Sequence, residues 1–206
     1  MTATPRSDFF QDAELQAVNE ILGSIGQSPV TTIEFNNPEV FLVYQLLQQA
    51  LTDTLSEGWS FNRDRGFELI PQDDGTVLVP NEVLSIDGAN EDVDRTTKII
   101  SRGGLLYDKM RQSYQFDGPV SVNVTWALGI DEVPTPFRRY VTARAAGRAA
   151  SELVNNTELY KLLSQTEGTL RASLMEYECN TGDYTFFGSP EGTVYRSFQP
   201  YRALSR

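Results

Sequence analysis

Histidine is absent from all 206 residues. That absence removes Ser-His-Asp and Cys-His catalysis, and every zinc site that needs an imidazole. Cysteine is nearly absent too. Cys179 stands alone, which excludes an internal disulfide, and with no second thiol it reads as a small buried or half-buried hydrophobe. Neither common phosphate-cradling loop, G-x-x-x-x-G-K-[ST] or G-x-G-x-x-G, occurs. Nothing approaches the ~18 consecutive apolar residues of a membrane span. The start "MTATPRSDFF" lacks the basic and apolar stretches of a signal peptide, so the expectation is a chain made and folded in a cytosol, without a membrane anchor. In that compartment the sequon matches at Asn123 and Asn155 are fortuitous.

Basic charge is in deficit: 17 Lys and Arg stand against 28 Asp and Glu, a formal net charge of −11. The acid is concentrated in the first two thirds, with −4 over residues 1–37 and −9 over 38–135, against +1 over 136–180 and +1 over 181–206. Affinity for phosphate comes from clustered Lys and Arg, so such a field does not attract nucleic acid. A groove that grips DNA is disfavoured; a surface past which DNA slides is compatible.

With 40% apolar residues, the chain has enough to bury a sizeable core. Asp12 reads as an N-cap, and Leu15, Val18, Leu22 and Ile25 follow at helical spacing in a first helix opposed by Gly23, Gly26 and Pro29. Asn37-Pro38 opens a second helix of about 20 residues that runs toward Gly58. Its main stripe is Val40, Phe41, Tyr44, Leu47, Leu51 and Leu55, widened by Leu42, Val43, Leu46 and Ala50, a breadth that suits a core or a neighbouring chain. The period then changes to alternation. "GFELI", "TVLVP", "EVLSI", "TKIIS", "LLYD" and "VSVNVTWAL" read as short strands separated by Gly- and Asp-containing turns, with Gly103-Gly104 suited to a primed hairpin turn. Helical signals return at Thr135-Pro136 in an Ala- and Arg-rich stretch, and again from an N-cap at Thr157. The expected fold is α+β: a bundle of about four helices from residues 1–61 and 131–180, an inserted antiparallel β unit at 62–130, and an extended tail at 181–206.

The tail has no clear period, yet carries Tyr184, Phe186, Phe187, Tyr195, Phe198 and Tyr201. So many aromatics argue against a solvated tail. Either the segment folds back on its own domain, or it docks on another chain with aromatic anchors and Arg196, Arg202 and Arg206 at the rim. On the third helix, Arg138, Arg139, Arg144 and Arg148 suit salt bridges to an acidic neighbouring subunit, or a DNA path. The remaining route to catalysis is a carboxylate pair, as in a polysaccharide hydrolase. Asp73, Asp74, Asp131 and Glu132 are candidates, but "PQDDGT" reads as a solvated turn. "ANEDVDR", with Glu91, Asp92 and Asp94, lacks the glycine and terminal glutamate of a calcium loop. No catalytic, cofactor-binding or metal-ligating residue is assigned.

Six stretches taken together carry a resemblance: residues 13–34 "AELQAVNEILGSIGQSPVTTIE", "GWSFN" at 58–62, "SRGGLLYD" at 101–108, "VSVNVTWAL" at 120–128, "DEVPTPFRRY" at 131–140 and "MEYECNTGDY" at 175–184. In this order the chain resembles the tail tubular protein A family of short-tailed podovirus phages. The resemblance implies a virion protein rather than an enzyme: a head-to-tail adaptor, assembled in the host cytoplasm as a ring of twelve copies below the portal protein. It further implies a tail nozzle, tail tubular protein B, carried by the ring, tail fibres as further partners, and a central channel through which genomic DNA passes without sequence-specific binding. On that reading Tyr184, Phe186, Phe187, Tyr195, Phe198 and Tyr201 dock on the portal, and Phe41, Tyr44, Leu47, Leu51, Arg138, Arg139, Arg144 and Arg148 serve the contact between subunits. The alternative is the tail-associated carboxylate hydrolase.

Overall fold

The computed structural model describes residues 13–34, 36–88 and 99–181. The elements run α1 (Ala13–Ser24), α2 (Pro38–Leu55), β1 (Arg63–Leu69), β2 (Val83–Gly88), β3 (Ile99–Arg102), β4 (Leu105–Asp108), β5 (Val120–Trp126), α3 (Thr135–Glu152) and α4 (Thr157–Thr181). The class is α+β, as the residue periods predict: paired helices on either side of antiparallel strands. Asp12, the acidic loop with Glu91, Asp92 and Asp94, and the aromatic tail lie outside the described residues.

One of the three stops after α1 is decisive. The Gly26 N–H donates to the Gly23 carbonyl at 3.1 Å and the Gln27 N–H to the Leu22 carbonyl at 2.8 Å, while Gly26 takes φ +81°. This is a Schellman closure with glycine in the left-handed position that other residues adopt at a cost. Gly23 lies inside the helix. The buried side of α1 is Ala13, Ala17, Val18, Ile21 and Leu22, so the expected stripe through Leu15 is rotated and Leu15 sits at its margin. Asn19 then ties down the following loop: its side-chain amide donates to the Val30 carbonyl at 2.9 Å and its Oδ1 accepts the Val30 N–H at 2.7 Å.

At the start of α2 the Asn37 Oδ1 accepts the Glu39 N–H at 3.0 Å, and Pro38 occupies the first turn, where its missing N–H is not needed. The core takes Val40, Val43, Leu46, Leu47, Ala50, Leu51 and Leu55. Phe41, expected on the main stripe, is instead 41% exposed, and Tyr44 is half-buried. Four of the six main-stripe residues, Val40, Leu47, Leu51 and Leu55, are buried together with Val43, Leu46 and Ala50 of the widened side, so the buried face is shifted away from Phe41 and Tyr44.

Helix α3 is the hub of the bundle, packed against α1, α2 and α4. Its buried set includes Ala145, Ala146, Gly147, Ala149 and Ala150, so the small residues serve approach by helices of the same chain. Phe137 fills the end of the core, edge-on to Trp59 and Phe61 with ring centroids 5.6 and 5.0 Å away. The α3–α4 turn corrects one expectation. Asn156, not Thr157, caps α4, its Oδ1 accepting the N–H groups of Glu158 and Leu159 at 3.1 Å.

The strands form two sheets, one with order β1-β5-β2 and one of β3 with β4, all pairings antiparallel. β5 is central and buries Val122, Val124 and Thr125. "TVLVP" makes only isolated bridges, Thr76 to Gln115 and Leu78 to Leu105. Even so, Val77 and Val79 are buried there and point into a second apolar cluster with Ile86, Ile99, Leu106 and Val122. The helices build the larger cluster, to which Trp59, Ile130 and Val133 also belong.

The two glycines of α1 are expected to respond oppositely to alanine. Gly23 is helical with open space around it, so Gly23→Ala should stabilise by about 0.5–1 kcal/mol. Gly26→Ala has the same space but must adopt φ +81°, and should destabilise by about 1–2 kcal/mol. Urea unfolding of the two variants beside the parent reads both signs.

Candidate functional site

The residues expected at a subunit contact occupy three different settings. Leu47 and Leu51 lie inside the chain's own core, 0% and 3% exposed. Phe41 and Tyr44 line a shallow groove on the outer side of α2 with Gln45, Gln48 and Gln49. At its edge the Glu14 carboxylate accepts from Gln48 Nε2 at 3.2 Å and from the Tyr44 hydroxyl at 3.5 Å. Burial, and then the charge of Glu14, push the Tyr44 phenol above its ordinary pKa.

The arginines are largely engaged within the chain. Arg138 donates to the carbonyls of Ile130 at 2.9 Å and Asp131 at 3.3 Å, closing the loop that leads into α3. Arg144 reaches Thr54 Oγ1 at 3.2 Å and Glu57 at 3.7 Å, and Arg148 pairs with Asp53 at 2.6 Å. Arg139 is exposed. Spacing alone did not single out Arg171 of α4, which bonds Glu57 and lays its guanidinium 4.9 Å from the Trp59 ring centroid and 5.2 Å from that of Tyr140. Burial alone pulls its pKa down, but the bond to Glu57, the charge of Glu57 and Tyr140 outweigh it and leave it raised. Asp53 and Glu57 at the end of α2 are thus matched by three arginines from α3 and α4.

Beside this network, "GWSFN" forms a polar junction between bundle and sheet. Trp59 Nε1 donates to the Thr54 carbonyl at 2.7 Å and its N–H to Asn62 Oδ1 at 2.8 Å. Asn62, 1% exposed, donates through Nδ2 to the Leu55 carbonyl at 3.0 Å and to the Trp126 carbonyl at 2.9 Å. One amide therefore ties the end of α2 to the end of β5. From α4, the buried Glu178 accepts the Ser60 N–H at 2.7 Å and the Ser60 hydroxyl at 2.9 Å. The signal for this junction was a short polar-aromatic motif between a helix end and the first strand. Its partners sit 64 and 118 positions away, beyond the reach of local pattern.

No catalytic arrangement accompanies it among the described residues. Asp74 closes a turn by accepting the Thr76 N–H at 2.9 Å and its hydroxyl at 2.7 Å, bonds that lower its pKa with the hydroxyl first. Glu132 accepts the Gly129 N–H at 2.9 Å, a loop-closing role. Among the described residues no group of three or more His, Cys, Asp or Glu is placed to hold a metal ion, and no helix is long and apolar enough to cross a membrane.

The family model described as tail tubular protein matches residues 15–184, from the first turn of α1 past the end of α4. A curated relative, tail tubular protein A of Klebsiella phage KP34, is 34% identical over 121 residues, covering 59% of this chain and 62% of that protein. The match thus spans somewhat less than two thirds of the relative's length.

The polar junction and the arginine network should differ sharply in energetic weight. Asn62→Ala takes the acceptor from the buried Trp59 N–H and a donor from the Leu55 and Trp126 carbonyls, and is expected to cost about 2–4 kcal/mol. Arg148→Ala removes a pair whose side chains are 29% and 50% exposed, and should cost less than about 1 kcal/mol. Denaturant midpoints of the two variants test this ranking.

Proposed function

The chain belongs to the tail tubular protein family, which makes it a structural component of a phage tail, and from that premise we propose that it is the head-to-tail adaptor. Copies form a closed ring, of twelve subunits, between the portal protein and the tail nozzle, tail tubular protein B. Genomic DNA passes through the central channel without sequence-specific binding, and tail fibres attach at the same tail. Assembly takes place in the host cytoplasm.

The observation that carries this reading is the extent of the family match, which takes in the helices and both sheets rather than one motif. The surface is consistent with it. α4 is 25 residues long yet buries only Leu174 and Glu178, with Tyr160, Leu162 and Met175 exposed at different points around it, so most of its circumference is open to a partner. A ring needs two different complementary faces on each subunit. The net charge of −11 suits a channel lining that repels DNA and keeps it from sticking. The aromatic tail, with Tyr184, Phe186, Phe187, Tyr195, Phe198 and Tyr201, is assigned to the portal contact, and the groove with Phe41 and Tyr44 to the contact between subunits.

Mixing purified portal ring with this protein tests the proposal directly. Native mass of the product should show many copies of the intact chain loaded per portal, and few or none of a chain ending at Thr181. If the intact chain does not load at all, the adaptor reading fails.

A further inference from the structure

Within a chain of net charge −11, the β3–β4 hairpin and the loop after it are an exception: residues 99–115 carry Arg102, Lys109 and Arg111 against Asp108 alone. Asp108 is 3% exposed, its Oδ1 accepting the N–H groups of Met110 at 2.8 Å and Arg111 at 3.2 Å and its Oδ2 lying 3.9 Å from Arg111 Nε, so Arg102 and Lys109 are the bases with no ion-pair partner among the described residues. The hairpin is rigidly held. Gly103 and Gly104 take φ +61° and +76° in the tight turn, Leu106 N–H donates to the Val77 carbonyl at 2.9 Å, and Ile99 and Leu106 are buried in the second cluster.

Its register places a different set of side chains on the opposite face. Ile100 pairs with Tyr107, Arg102 with Leu105, and Leu105 with Leu78. Leu78 is 55% exposed, and Tyr114, 36% exposed, lies against Tyr107 with centroids 4.7 Å apart. The Arg102 guanidinium covers the other ring at 4.3 Å. An Arg-Tyr-Tyr stack bordered by leucines, with side chains pre-ordered by their own contacts, has the composition of a binding hot spot rather than of a solvated sheet face.

A complementary surface exists on the same chain. Residues 13–62 hold no Lys or Arg and six acids: Glu14, Glu20, Glu34, Glu39, Asp53 and Glu57. The last two are matched by the arginine network, and the other four have no ion-pair partner among the described residues. Glu20, Glu34 and Glu39 are exposed. We infer that the outer face of the β3–β4 hairpin docks on the acid-only α1–α2 surface of a second copy of this chain. The two patches differ, so the contact is head-to-tail, the kind of interface the ring of the adaptor reading needs. The inference rests on the adaptor reading above and specifies which faces meet.

The test uses full-length protein assembled on portal from a mixture of unlabelled and ¹⁵N-labelled copies, treated with a zero-length carbodiimide. Mixed-isotope crosslinks from Lys109 to Glu20, Glu34 or Glu39 are expected. Lys109 crosslinks found only to portal carboxylates, or only elsewhere on the neighbouring copy, overturn the inference while leaving the adaptor reading intact. If wild-type protein never loads on portal, the adaptor reading itself has failed and the inference falls with it. Charge reversal gives a second readout. Arg102→Glu with Lys109→Glu, and separately Glu20→Lys with Glu34→Lys, should each raise the concentration needed for loading about tenfold, and the four changes together should restore it. Folded variants that load like wild type, or a combined variant without recovery, count against it.

Discussion

Helix α3 can lie among three other helices only because much of its buried surface is alanine and glycine. Ala145, Ala146, Gly147, Ala149 and Ala150 bring α1, α2 and α4 close, and the large apolar groups that fill the core come mostly from those partners, from Trp59, Ile130 and Val133 in the connecting segments, and from Phe137, Tyr140 and Val141 in the first two turns of α3. Close-packed interiors tolerate little extra volume, so this helix is where the bundle has least room for change. It is also the helix that carries the arginines. The same stretch that packs by lacking side chains on one side reaches across to Asp53 and Glu57 with long ones on another.

That arrangement sorts the charge of the protein. The acids at the C-terminal end of α2 are neutralised by Arg144, Arg148 and Arg171, whereas those of α1 and the start of α2 have no basic residue near them in sequence. Partly exposed ion pairs contribute little to stability. Their larger consequence is the pattern they leave, an acidic surface at one part of the chain and a basic, aromatic hairpin at another. Such a pattern selects the orientation and identity of a docking partner more than it adds affinity.

Bundle and sheet are joined by hydrogen bonds as much as by apolar contact. Asn62 and Glu178 satisfy backbone groups at a place where α2, β5 and α4 all come together, and Arg171 roofs the Trp59 ring beside them. A buried amide with its donors and acceptor used is specific about geometry, since any shift of sheet against bundle leaves a polar group unpaired. The junction thus fixes the β1-β5-β2 sheet against the ends of α2 and α4.

Local chemistry was legible in the sequence. The Asn37-Pro38 start, the glycine stop of α1, the Gly103-Gly104 hairpin and the order of helices and strands all depend on residues a few positions apart, and all appear in the structure. The absence of histidine excluded whole classes of catalysis before any fold was known. Partnership over distance was not legible. That the broad apolar face of α2 is buried on the side away from Phe41 and Tyr44, that the small face of α3 meets helices of its own chain, and that Arg144 and Arg148 find Glu57 and Asp53 are outcomes of packing among elements far apart in sequence. A periodic pattern states that a face is apolar; only the tertiary structure decides what covers it, because several surfaces compete for the same burial and the one that fits most closely prevails.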